Sequence, residues 1–429
     1  MKIRRNTRLD RILFCPENRI QRDAQIWHTV FSMLTAVQST LLLFILARVC
    51  GSGDAGIFSL AISVGYLMIM IGNYGVRNYQ VTDIVPVYGF REYRTHRWTT
   101  CLIMTAVSLG YVLLRGYETE KALSVFLVCV LKVIESVENV YHAEYQRVNR
   151  LDTASKIGTI RISTTTLAFV AAILITRSLW ISILVMDLAA AGFLVWLLCY
   201  TYPRIPVTKS EKSPDWKKLF VTCFPLFISS FCYIYICNAS KYALDYYASE
   251  SVQGYFGMIF MPVSVSFLIS NCFYGPFLVR LAGYWGKNET KPIRRFIGIE
   301  TAGVLLICAV ISAAGYLWGT QVLSFIYGCD LQAYRMPLTI LLLGSGMTAL
   351  VDFSINLLTV IRKQNIAIWF NCGFALLAFG SSRILVGRLG VEGAAWSYFG
   401  VMTVMVAVMM MFLLCMVNKG NVEKESGTV

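Results

Sequence analysis

The sequence predicts an all-α integral membrane protein of about twelve transmembrane helices, arranged as two pseudo-symmetric six-helix bundles. Three observations carry this: a composition too apolar for water, apolar runs of membrane-spanning length, and features that recur between the two halves. Of 429 residues, 57% are hydrophobic and 14% charged, with a mean hydropathy of +0.61, whereas soluble domains carry roughly 25% charged residues. A formal charge of +14 would point a soluble protein toward nucleic acid. Here the cations follow the loops, so they report topology and no nucleic-acid partner is expected.

A hydrocarbon core of about 30 Å needs about 20 apolar residues at 1.5 Å rise each. Runs of that kind fall at 24–47, 56–76, 98–114, 122–142, 157–176 and 179–201, then at 219–239, 254–279, 296–318, 336–361, 366–386 and 393–417. The first run follows a basic segment but lacks a small-residue cleavage site, so it reads as a retained span. The linker 202–218, with Pro203, Pro206 and Pro214, separates an N-terminal lobe (24–201) from a C-terminal lobe (219–417). Short tails, 1–23 and 418–429, flank them. Lys and Arg outside the spans crowd on one side of this map, leaving only Arg48, Arg115, Lys121, Arg177, Lys241, Arg335 and Arg388 on the other. Both termini are therefore expected to be cytoplasmic.

Features also recur at an offset of about 200 residues. Gly56-Ile57-Phe58 matches Gly254-Tyr255-Phe256, Tyr74-Gly75 matches Tyr274-Gly275, and Arg97-Trp98 matches Arg295-Phe296. Six spans per lobe give the lobes one shared orientation, with a substrate path expected between them. The thirteen cysteines, among them Cys101, Cys129, Cys199, Cys223, Cys308 and Cys415, form no CxxC pair and have no His at metal spacing. They read as free thiols packed as small hydrophobes, and no metal site is expected.

Ionisable groups at membrane depth are costly to hold there and are functional candidates by default. Lys132, Glu135, Glu138, Asn139 and His142 share one face of the fourth span at about 100° per residue. Two readings stand: a face on a watery cavity where Glu135 or Glu138 titrates, or a self-neutralising Lys132 and Glu135 pair packed against a neighbouring helix. Asp187 and Asp352 lie deep in the sixth and tenth spans, completing the candidate ion-coupling set with Glu135 and Glu138. Arg161, Glu300 and Arg383 lie near span ends, where long side chains snorkel to the headgroups. His28, Ser32, Thr35 and Ser39 form a polar stripe on the first span, open to a cavity role or to helix packing. Pro225 and Pro262 are candidate bends. Arg48 and Lys241, which run against the charge rule, together with Arg77, Arg280 and His28 are the candidate substrate-binding set, since Arg and Lys suit phosphate.

No Walker, HExxH, GxSxG or dinucleotide-binding sequence occurs, so neither catalysis nor a cofactor is expected. The six-plus-six layout, the basic tail before Trp27, the turn Gly51-Ser52-Gly53-Asp54-Ala55-Gly56-Ile57-Phe58 and its counterpart Gln253-Gly254-Tyr255-Phe256 resemble the O-antigen type polysaccharide flippases. These belong to the multidrug/oligosaccharidyl-lipid/polysaccharide exporter superfamily. The resemblance implies a V-shaped pair of bundles with a cationic cavity in the bacterial cytoplasmic membrane. It implies alternating access that moves an undecaprenyl-pyrophosphate-linked oligosaccharide outward for surface polysaccharide synthesis. Its partners would be membrane lipids, a polysaccharide polymerase and glycosyltransferases. The alternatives are a drug/ion antiporter of the same superfamily, a membrane sugar polymerase or ligase, and a scaffold. A polymerase or ligase would need a larger outer loop than 319–335, and charges on several spans suit a scaffold poorly.

Overall fold

In the computed structural model the described part of the chain excludes residues 1–7, 84–86, 211–214, 275–280, 282, 286, 288, 362 and 427–429. It also excludes the side chains of residues 8, 11, 264–274, 364 and 418–426. All secondary structure in the described residues is helical. The first half comprises α1 (Arg8–Leu13), α2 (Ile20–Cys50), α3 (Ser52–Asn73), α4 (Val76–Thr82), α5 (Phe90–Arg115), α6 (Thr119–Arg147), α7 (Leu151–Thr176) and α8 (Leu179–Trp196). The second comprises α9 (Lys218–Tyr247), α10 (Glu250–Tyr274), α11 (Thr290–Ala314), α12 (Thr320–Tyr327), α13 (Arg335–Val360) and α14 (Gln364–Ser426).

Where the residues are described, the predicted spans fall on these helices, and the protein is a multi-pass membrane protein. Nine segments of the described residues are long and apolar enough to cross a membrane. The charges of α6 keep it out of that set, although its 29 residues reach about 43 Å at 1.5 Å each. The eleventh and twelfth predicted spans are one run, α14, broken at Gly390, whose φ of 57° and ψ of −128° leave the helical region. That conformation favours glycine. A Cβ at Gly393 would collide with the Leu385 carbonyl oxygen, so the tight turn needs both glycines. Ser381 and Ser397 hydroxyls meet across the hairpin at 3.0 Å.

The second predicted span is also interrupted. Tyr74 (φ 49°) and Gly75 (φ 68°) are left-handed, so α3 stops at Asn73 and α4 starts afresh at Val76. Pro225 and Pro262 lie inside α9 and α10 without ending them. The breaks in helical conformation described above involve Tyr74, Gly75 and Gly390.

The chain divides into two compact units, Met1–Phe231 and Cys232–Val429, with the division inside α9. In the first unit α3 packs on α6 and α2 on α7; in the second α13 packs on α10, α11 and α14. One end of the first unit is tied by polar bonds. Arg147 pairs with Asp83 (2.9 Å) and donates to the Asp83 and Tyr88 carbonyls. Glu144 accepts from the Gln80 side chain and from the Thr208 N–H (2.7 Å), holding the linker down. Cys15 donates to Asp152 (2.9 Å), which also pairs with Arg150. Burial, reinforced by Asp152, pushes the Cys15 thiol up to about 12, so it stays protonated and keeps that bond.

Exposed Lys209 and Ser249 give a test of the expected orientation. In intact cells a membrane-impermeant thiol reagent is expected to label Ser249→Cys and to spare Lys209→Cys. Labelling of Lys209→Cys from outside would invert the map.

Candidate functional site

Five ionisable side chains of α6 and α7 meet inside the first unit. The spacing that puts Lys132, Glu135, Glu138 and His142 on one face of α6 turns that face toward α7, where Arg161 stands. Lys132 Nζ donates to Glu135 Oε2 (2.7 Å), and Arg161 Nη1 donates to Glu135 Oε1 (3.4 Å). Arg161 Nε lies 2.5 Å from Glu138 Oε2, and His142 Nε2 lies 3.3 Å from Glu138 Oε1. The first is a close ion pair and the second a polar contact, and neither is aligned for a hydrogen bond. All five side chains are at most 15% exposed. Taking such charges from water costs several kcal/mol each; two carboxylates against one Lys and one Arg offset this locally. The expected Lys132 and Glu135 pair is present, as part of a larger network.

Arg161 corrects the expectation that it snorkels. Helix α7 begins at Leu151, earlier than the predicted 157, so Arg161 lies further from its end, and it is 6% exposed. Glu300 of α11 is likewise buried, and its Oε1 has no hydrogen-bond partner among the described residues. Arg383 is exposed, stacked on Phe379 and Tyr246.

Asp187 of α8 is 5% exposed, and neither carboxylate oxygen has a hydrogen-bond partner among the described residues. It is close enough to Glu135 for their charges to interact. Beside it, Gln38, Tyr66, Lys132, Ile183 and Met186 help line a cavity of about 20 Å³, room for roughly one water molecule. Lys132 sits over the Tyr66 ring at 4.7 Å, a cation–π contact. Gln38 donates to the Thr166 hydroxyl at 3.0 Å, tying α2 to α7 at this level.

The second unit has its own polar row. Tyr233, Cys237 and Lys241 recur every four residues on one face of α9. The Tyr233 hydroxyl donates to Asp352 Oδ1 of α13 (2.7 Å), while Asp352 Oδ2 has no hydrogen-bond partner among the described residues. Thr348, one turn before Asp352, shares a 2.5 Å hydrogen bond with Tyr398. Lys241 is 7% exposed and has no carboxylate partner among the described residues. Its ammonium lies 4.3 Å from the centre of the Phe260 ring, and the Gln253 side chain donates to its backbone carbonyl.

The remaining sequence candidates are dispersed. Arg48 is exposed at the end of α2 over the Phe44 ring. Arg77 donates to the Gln146 side chain (3.2 Å) and lies close enough to His28 and His142 to act on both. His28, Ser32 and Thr35 are exposed. Arg280 lies outside the described residues.

Sequence reasoning placed Arg97 among the loop cations, yet it is 1% exposed. It donates to the Gly72 carbonyl, to Asn73 Oδ1 (3.0 Å) and to Ser136 Oγ (3.1 Å), closing the C-terminal end of α3 at the Tyr74–Gly75 break. A cation suits a helix C-terminus, where carbonyls lack intrahelical donors. Neither hydropathy nor charge counting distinguishes such a residue from a loop arginine. Tyr233 was also missed, though its register with Lys241 marked the face.

No family model and no curated protein matches the sequence. Solved structures are similar in fold. One is an inward-facing multidrug resistance MATE family transporter of the MOP superfamily, with 11% identity over 93% of this chain and 99% of that one, at a TM-score of 0.69. A second is a MOP superfamily transporter from Pyrococcus furiosus, described as having a binding pocket of reverse polarity. It is 11% identical over 97% of this chain and 100% of that one, at 0.59. A third is the Vibrio cholerae MATE transporter VcmN in its bent form, 10% identical over 95% and 99%, at 0.59. Over nearly its whole length, this chain is similar in fold to the two-lobed, all-helical MATE transporters of the MOP superfamily.

Proposed function

We propose that the protein is a secondary exporter, driven by an ion gradient, that exchanges an organic substrate across the membrane as a drug/ion antiporter does. One observation carries this reading: each unit of the fold holds a deep carboxylate, Asp187 or Asp352, with at least one oxygen lacking a hydrogen-bond partner among the described residues. Such a group binds a proton or a small cation at little cost when water or a sealed cavity alternately faces it. Similarity in fold to a multidrug resistance transporter supports this substrate class over the others. In vesicles carrying an outward-directed organic-cation load, an imposed proton or sodium gradient is expected to drive its exchange.

A second reading, translocation of a lipid-linked oligosaccharide, rests on Lys241. A buried ammonium with no carboxylate partner among the described residues is suited to an anion, and a pyrophosphate supplies one. Arg48 belongs to the same proposal, being a cation on the disfavoured side. On this reading the Arg48→Ala, Lys241→Ala double variant loses most surface polysaccharide at normal expression, and wild type moves no organic cation. Full surface polysaccharide in the double variant would remove both residues from the site.

A further inference from the structure

Cys232 of α9 and Cys372 of α14 face each other with their sulfur atoms 3.9 Å apart. Both lie within the second unit, and both are half-buried. Other cysteines have different surroundings: Cys101, Cys129, Cys223 and Cys308 are buried as small hydrophobes, while Cys199 and Cys415 are exposed. A disulfide needs its sulfurs at about 2.05 Å, so each Sγ must move by on the order of 1 Å.

We propose that Cys232 and Cys372 form an oxidisable dithiol that joins α9 to α14 as a disulfide when a membrane-permeant two-electron oxidant reaches it. With a diazene as oxidant, one thiol adds across the N=N bond, forming S–N and N–H bonds. The second sulfur then attacks the first, the S–S bond forms as S–N breaks, and the departing nitrogen takes the second thiol's proton. Two thiols lose two electrons and two protons in all, and the diazene becomes a hydrazine. The bond would fix α9, which carries Tyr233 and Lys241, to the hairpin helix beside it. This chemistry stands apart from the substrate reading and is testable without a transport assay.

The probe is diamide applied to membranes holding the full chain, followed by N-ethylmaleimide, proteolysis and mass spectrometry under non-reducing conditions. Wild type is expected to lose two alkylatable thiols and to yield one peptide pair joined through Cys232 and Cys372, released by dithiothreitol. Cys237→Ser, on the same helix, keeps this product; Cys232→Ser and Cys372→Ser each abolish it. Full alkylation of both cysteines in oxidised wild type, or the same thiol loss in Cys372→Ser, would overturn the proposal.

Discussion

Arg161→Met is expected to destabilise the protein by about 3–5 kcal/mol, the cost of leaving a buried charge without its partner. Among the described residues, Arg161 is the side chain that reaches both Glu135 (3.4 Å) and Glu138 (2.5 Å) from α7. Removing it leaves Glu135 with Lys132 but strands Glu138, at 3% exposure, with only His142 beside it among the described residues. At about 2–4 °C per kcal/mol for a unit of this size, the melting temperature should fall by on the order of 10 °C. The double variant Arg161→Met, Glu138→Gln removes the stranded charge with its partner and should recover most of the loss. Thermal unfolding of the detergent-purified full chain, followed by size-exclusion recovery, makes the measurement. A single variant that melts with wild type would show the network to be energetically idle.

Asp187→Asn is expected to lower gradient-driven transport at least about tenfold, a change of about 1.4 kcal/mol in coupling, while leaving the protein monodisperse. Asparagine keeps the size of the side chain and removes its ability to bind a proton or cation as an anion. Asp352→Asn should act in the same direction, with a smaller loss because the Tyr233 hydroxyl already satisfies one oxygen. Glu135→Gln and Glu138→Gln sit in the ion network, so their loss should appear in stability as well as in transport. Vesicles with an imposed proton or sodium gradient separate these outcomes. Full gradient dependence in all four variants, or indifference of wild type to both gradients, would make these carboxylates structural.

Which parts of the molecule could be read from residue order alone follows from the range of the forces involved. Span number and approximate limits were legible because each depends on a local sum: about 20 consecutive residues either match a hydrocarbon slab or do not. The shared face of Lys132, Glu135, Glu138 and His142 was legible for the same reason, since helical register is set within two turns. Local periodicity does not tell what a face meets. Only packing of α7 on α6 brought Arg161 to Glu138, and only the left-handed Tyr74–Gly75 break ended α3 where Arg97 reaches the Gly72 carbonyl and Asn73. Tertiary structure likewise separated Arg48, exposed at a helix end, from Lys241, buried against Phe260, although both stood out equally as cations on the wrong side of the charge map. Burial and pairing are relations between segments far apart in the chain. The hydropathy of one segment carries no term for its partner, so those relations were decided by the fold.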